Sequence, residues 1–160
     1  MITCQYENGD KVSLRHVTVN AIIVRDGKIL LGKRGTFHGQ PILESGEWAL
    51  LGGFFDRDEN LIDAVQREVK EESGWEIASP TLLRINDNPN RPKEDRQNVD
   101  MIFFTNAVKQ EHVVTEEVRE LKWFDLDTLP EPEEFAFDHG EDVQLYLKYR
   151  KEKFTIPVIG

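Results

Sequence analysis

The segment from Asn60 to Gly74 constrains the chain most, because it reads as a helix whose apolar stripe also carries acids. Asn60 suits an N-cap, Asp63 lies in the first turn, and Gly74 suits a left-handed stop. With Glu68 at zero on a wheel advancing about 100° per residue, Glu71 falls at about −60° and Glu72 at about +40°. Leu61, Ala64, Val65 and Val69 occupy the arc from about −40° to about +100°. Arg67, Asp63, Gln66, Lys70 and Ser73 fill the opposite side, so Glu68, Glu71 and Glu72 are expected to face inward. Glu-rich helices are ordinarily solvated, with each acid paired to Lys or Arg one turn on. Here Glu68–Glu71 and Glu68–Glu72 are like-charge neighbours, and burying carboxylates costs far more than that repulsion unless a cation compensates them. Only oxygen ligands are on offer, which points to a hard ion, Mg²⁺ or Mn²⁺. No clustered His/Cys pattern suggests zinc.

The charge balance leads to the same ion. A net charge of −10 over 160 residues argues against nucleic-acid binding, which needs a basic footprint. An acidic protein also repels phosphates, so a phosphate-bearing substrate needs something cationic between. The length suffices for one domain with a buried core, and 39% hydrophobic with 31% charged residues is the balance of a soluble globular chain. No apolar run approaches a membrane span, and Met1 to Glu7 has neither a basic nor an apolar leader region. With Cys4 alone no internal disulfide forms, and a cytoplasmic setting without membrane partners is expected.

Along the chain, Asn8-Gly9 marks one hairpin, and Asp26-Gly27 marks a second between the apolar runs Val17 to Val24 and Ile29 to Leu31. Residues 35 to 47 read as a loop. Trp48 to Leu51 is a short apolar segment running into Gly52-Gly53. Further strands are expected over Thr81 to Ile85, Val99 to Val108 and Leu121 to Phe124. Val143, Tyr146, Leu147 and Arg150 line one face of a C-terminal helix, followed by an extended tail. The polar stretch Asn86 to Asn98, with Pro89 and Pro92, is a long loop of the kind that carries function. These elements predict an α+β fold with helices packed on a mixed sheet, in one domain over residues 1–160.

Gly53-Phe54-Phe55-Asp56-Arg57-Asp58-Glu59, seven more residues, then Arg67-Glu68-Val69-Lys70-Glu71-Glu72-Ser73-Gly74-Trp75 resembles the Nudix box, Gx₅Ex₇REUxEExGU. Every fixed position is met, and the resemblance covers about Val17 to Leu129, with a C-terminal helix and tail over 131–160. It implies an α/β/α sandwich and a metal-dependent pyrophosphohydrolase. It also implies Glu68, Glu71 and Glu72 as catalytic acids and metal ligands, with the Gly52 carbonyl as a fourth ligand. Gly53 and Gly74 shape the motif, and Glu59 pairs with Arg67 to hold loop and helix together. A second reading makes Arg67 a surface partner of Glu71. Leu51 departs from the family, which usually has proline before the two glycines.

Arg34 ends the second strand of the Asp26-Gly27 hairpin, where the family often grips a phosphate; a solvated strand end is the alternative. Gly27 to Lys33 mimics a phosphate-binding P-loop, but Arg34 stands where Ser or Thr is required and the spacer reads as strand. Glu116 and Glu117 precede a strand at a place where similar enzymes put a further acid, and Glu117 is preferred as base or ligand. Pro89, fourteen residues beyond Trp75 within Asp87-Asn88-Pro89-Asn90-Arg91-Pro92, is similar to the mark of ADP-ribose pyrophosphatases, with Arg91 a candidate substrate contact. ADP-ribose, cleaved to AMP and ribose 5-phosphate, is therefore the expected substrate. A nucleoside triphosphate, as in nucleotide-pool cleansing, is the alternative, and a non-catalytic nucleotide-binding regulator is a third reading. Trp48, Phe54 and Phe55 are candidates for stacking a base or for the core, and His38 and His112 read as solvated. Glu131 to Glu134 and the tail either cover a partner subunit in a homodimer or cap the sheet.

Overall fold

A computed structural model describes residues 2–91, 97–111 and 115–160, so the expectations on Pro92 and His112 lie outside the described residues. The chain runs β1 (Ile2–Gln5), β2 (Lys11–Leu14), β3 (Val17–Arg25), β4 (Lys28–Arg34), β5 (Thr36–Phe37) and β6 (Gln40–Pro41). Then come β7 (Trp48–Ala49), β8 (Leu51–Phe54), α1 (Leu61–Ser73), β9 (Trp75–Asn86), β10 (Val99–Gln110) and β11 (Val118–Asp125). A 3-10 turn at Pro132–Glu134, α2 (His139–Lys151) and β12 (Val158–Ile159) complete it.

The main sheet has the order β11-β4-β3-β10-β9-β12, with β7 added on β4 and β8 on β3. It is mixed: β3 and β10 run parallel from Val17↔Val99 to Val24↔Asn106, as do β9 and β12, and the other pairs are antiparallel. Asp26 and Gly27 both take left-handed φ, 51° and 78°, as a two-residue hairpin turn demands. β3 divides one edge between two partners. Its first half, Thr18 to Ala21, pairs with β8, and its second half, Ile23 to Arg25, pairs with β4. The sheet forks there, and Gly52-Gly53 lies at the fork beside Val19 and Asn20.

Each face of the sheet is covered by one helix. Val19, Ala21 and Ile23 pack with Ala64, Val65 and Val69 of α1, while Ile22 and Leu31 pack with Val143 and Tyr146 of α2. A strand buried on both faces is apolar at successive positions rather than alternately, which is how β3 reads. This is the expected α/β/α sandwich.

Three boundaries differ from the sequence reading. Residues 36–41 form a small β5–β6 hairpin inside the expected loop. β9 begins at Trp75 rather than near Thr81, because register shifts against β10 and a left-handed Ser79, φ 50°, break the apolar alternation of its first half. The tail ends as β12 on β9, and the Gly160 N–H donates to the Ile85 carbonyl at 3.0 Å, so the tail caps the sheet edge. No helix of the described residues is long and apolar enough to cross a membrane.

Candidate active site

The N-terminus of α1 is capped by Asn60, whose side chain accepts the Ile62 and Asp63 N–H groups at 3.0 Å each. Its C-terminus stops at Gly74 with φ 72°. Between these caps the acids sort unequally. Glu72 points inward; its partly buried carboxyl accepts the Gly52 N–H at 2.9 Å. Burial, with Glu68 and Glu117 nearby, pushes its pKa up to about 8, against the Gly52 N–H and Arg34. Glu68 is largely buried too, and burial raises its pKa despite Arg67. Glu71 departs from the expected inward trio: its side chain is 62% exposed and turns to Arg67 at the cavity mouth. Ser73 departs in the other direction. It is buried, with its hydroxyl donating to the Val69 carbonyl at 2.5 Å, because the helix end tucks under the sheet where the wheel placed solvent.

Both readings of Arg67 are realised at once. Its Nε and Nη2 donate to the two oxygens of Glu59 at 3.0 and 2.8 Å, and Nη1 reaches Glu68 at 2.8 Å and Glu71 at 3.2 Å. Nη2 also donates to the Phe54 carbonyl at 3.1 Å, so one planar fork joins loop, helix and β8. The Arg67 bond and the Asp56 N–H hold the Glu59 pKa below its usual range.

Two glycines make room for the acids. A Cβ on Gly52 would stand 2.0 Å from the Val19 carbonyl, and one on Gly53 would stand 2.5 Å from the Glu68 carboxylate. Gly53→Ala should therefore displace Glu68 while sparing the fold. The expected loss is about 10- to 100-fold in divalent-metal affinity, read by titration calorimetry, with the melting temperature nearly unchanged. An unaltered affinity would show that Glu68 is no ligand. The turn lacks the family's proline, yet it is pinned on both sides of the core residue Leu51. Leu50 N–H donates to His139 and Gly52 N–H to Glu72.

These groups line a cavity of about 320 Å³ that also takes in Arg34, Glu117, Phe54 and Phe137. Arg34 ends β4, donates from Nε to the Leu43 carbonyl at 2.8 Å, and lies over the Phe137 ring at 5.1 Å. Glu117 lines the cavity, whereas Glu116 is spent on the β5–β6 hairpin, its carboxylate accepting the Gly39 N–H at 3.1 Å. Trp48 is core, Phe55 packs against core, and Phe54 is 43% exposed on the cavity wall. His38 is exposed.

Arg91, read from the sequence as a substrate contact, lines the cavity, and its guanidinium also binds internally, with Nε at 2.9 Å and Nη2 at 2.5 Å from Asp138 and Nη2 at 3.4 Å from Asp100. Asp100 also accepts the Asn20 amide at 2.8 and 2.9 Å, and Asn86 donates to Asp138 at 2.7 Å. Sequence reasoning passed over Asn20, Asp100, Phe137, Asp138 and His139. A signal existed for two of them: Asn20 and Asp100 are polar residues interrupting apolar runs that must be buried on both faces.

A divalent cation fits this donor set. The partly buried Glu72 carboxyl has one backbone N–H among the described residues, Glu68 lies beside it, and Glu117 adds a third acid to the same cavity. Among the described residues no three acids already converge as a closed cage, and Arg67 pairs with Glu68 and Glu71.

The NUDIX domain profile matches residues 14–145. A curated relative, the ADP-ribose pyrophosphatase of Methanocaldococcus jannaschii, is 33% identical over 134 residues, covering 84% of this chain and 74% of that protein. An oxidized purine nucleoside triphosphate hydrolase of Danio rerio is 29% identical over 118 residues, covering 73% of this chain and 70% of that protein. The crystal structure of an ADP-ribose pyrophosphatase from Streptococcus suis shares the fold with a TM-score of 0.72 at 23% identity, over 92% of this chain and 100% of that one. The chain belongs to the NUDIX family. It is a hydrolase of phosphoanhydride bonds, and enzymes of this family generally use divalent metal ions.

Proposed function

We propose that the protein cleaves the diphosphate of a nucleoside diphosphate linked to another group, with ADP-ribose giving AMP and ribose 5-phosphate. The observation that carries this reading is the inward Glu72 beside Gly52-Gly53, in a cavity that Arg34 also lines. The likeness to the M. jannaschii enzyme, across most of both chains, supports ADP-ribose in particular. The likeness to the D. rerio enzyme favours a second reading, a nucleoside triphosphate cleaved at the same kind of bond.

In this reading Glu68, Glu71, Glu72 and the Gly52 carbonyl would hold Mg²⁺ or Mn²⁺, which would supply the positive charge an acidic cavity needs to accept a diphosphate and to stabilise the leaving phosphate. The chain's own residues do the rest. Arg34 meets a phosphate oxygen through its fork while the Leu43 carbonyl and the Phe137 ring hold it in place. Glu117 takes the proton of the attacking water. Arg67 and Glu59 keep the loop against α1.

The test is product analysis over ADP-ribose, other nucleoside diphosphate sugars and the nucleoside triphosphates, with Mg²⁺ and with EDTA. AMP released from ADP-ribose at the highest kcat/KM, and abolished by EDTA, is the expected result. A higher kcat/KM for a nucleoside triphosphate would replace the first reading by the second.

A further inference from the structure

The turn entering α2, Phe135-Ala136-Phe137-Asp138-His139, brings two rings to the cavity that no box residue accounts for. Phe135 anchors it from below: the residue is buried and bridges to Trp48, and the Ala136 N–H donates to the Trp48 carbonyl at 2.8 Å. Phe137 then takes a left-handed φ of 53°, rare for a bulky residue, and its ring stands 5.6 Å from that of His139.

His139 is only 4% exposed and lines the cavity. Its Nδ1 accepts the Leu50 N–H at 3.1 Å. A neutral imidazole that accepts at Nδ1 carries its proton on Nε2, so this contact selects the tautomer. Nε2 meets no hydrogen-bond partner among the described residues. The ring stays neutral because burial, Arg91 and Arg34 oppose the imidazolium more than Asp138 favours it, and the first turn of a helix opposes it as well.

We infer that the Nε2–H of His139 reads the substrate's nucleobase, donating one directional hydrogen bond to a ring nitrogen or carbonyl oxygen beside the face of Phe137. The inference rests on the nucleotide reading above. A neutral donor adds no net charge to attract a phosphate, so its use is to select a neutral acceptor in a defined direction. Its anchor, Leu50, is two residues from Gly52, whose N–H anchors Glu72. The donor and the acids thus share one cavity wall, with the donor on the side assigned here to the nucleoside. Phe137 supplies an aromatic face and His139 an edge-on donor, the pair that a planar base requires. Arg34 lies over one face of Phe137, so the phosphate it meets and the base of the same nucleotide are neighbours here, while Arg91 is bound to Asp138 and Asp100.

Ribose 5-phosphate carries an anomeric hydroxyl where AMP carries the base, so the test compares their binding to the full chain loaded with Mg²⁺, by titration calorimetry. Wild type is expected to bind AMP at least about tenfold more tightly than ribose 5-phosphate. His139→Asn keeps an acceptor for the Leu50 N–H, while its shorter amide no longer places a donor at the Nε2 position. It should weaken AMP by about tenfold and ribose 5-phosphate much less, closing the gap between them. Because the ratio is internal to each protein, a general loosening would show as equal weakening of both ligands. Equal weakening, no weakening, or a wild type that does not separate the two ligands overturns the inference. A wild type that separates them but hydrolyses no nucleotide would sink the functional reading and leave this one standing.

Discussion

Glu72→Gln is expected to lower kcat by about 10³-fold or more and at the same time to raise the melting temperature of the metal-free protein. Glutamine keeps an oxygen for the Gly52 N–H but carries no charge for a cation. The stability gain follows from the raised pKa. Folded Glu72 titrates at about 8 against an ordinary value of 4.5, so between those values the folded state holds a proton that the unfolded chain has released. Its contribution to stability therefore falls as pH rises through that window and is flat above about pH 8. The penalty at neutral pH is on the order of 3 kcal/mol at most, and glutamine relieves it. Calorimetric melting in EDTA should show the variant's advantage small at about pH 5 and largest at about pH 8. Added Mn²⁺ should raise the wild-type melting temperature and leave the variant's little changed. A variant that turns over at near wild-type rates, or melts alike at both pH values, would remove Glu72 from the centre of the site.

The parts of this site legible in the sequence were those encoded locally. Asn60, Gly74 and the acids between them lie on one helix, where a period of 3.6 residues and two caps specify the geometry. The wheel failed where that period stops being the governing quantity. Glu71 turned outward because Arg67, one turn back, offered it a partner at the surface. Ser73 turned inward because the helix end is covered by the strand that follows. The Arg91 cluster was not legible because its members lie 47 residues apart in one pair and 9 in the other, and meet only through the fork of β3 and the entry to α2. An arginine in an Asn-rich loop reads as a ligand contact; the nested turns of Asn86, Asn88 and Asn90 lead it inward to the carboxylates. His139 was invisible for a related reason, since its role is set by a backbone N–H on a distant strand segment.

Arg91→Ala should destabilise the protein by about 3–5 kcal/mol, which for a domain of this size is a fall of about 10 °C or more in melting temperature. The side chains of Arg91, Asp138 and Asp100 are 3%, 3% and 2% exposed, so removing the guanidinium leaves two carboxylates buried without their cation. Asn20 and Asn86 would still donate to them, but amides do not neutralise charge. Asp100 already has its pKa raised by burial against the pull of Arg91, and without that pull it should hold its proton to still higher pH. The variant's deficit should consequently be smaller in mild acid, where protonation of Asp100 removes part of the uncompensated charge, and should grow toward neutral pH. The double variant Arg91→Ala with Asp138→Ala should cost less than the sum of the two single losses, because it removes both members of the closest pair. A substrate-gripping arginine would behave otherwise. Its loss would raise KM, leave the melting temperature where it was, and show no coupling to Asp138. Melting curves of the two single variants and the double variant, set beside KM for the preferred nucleotide, separate a buried brace from a phosphate contact.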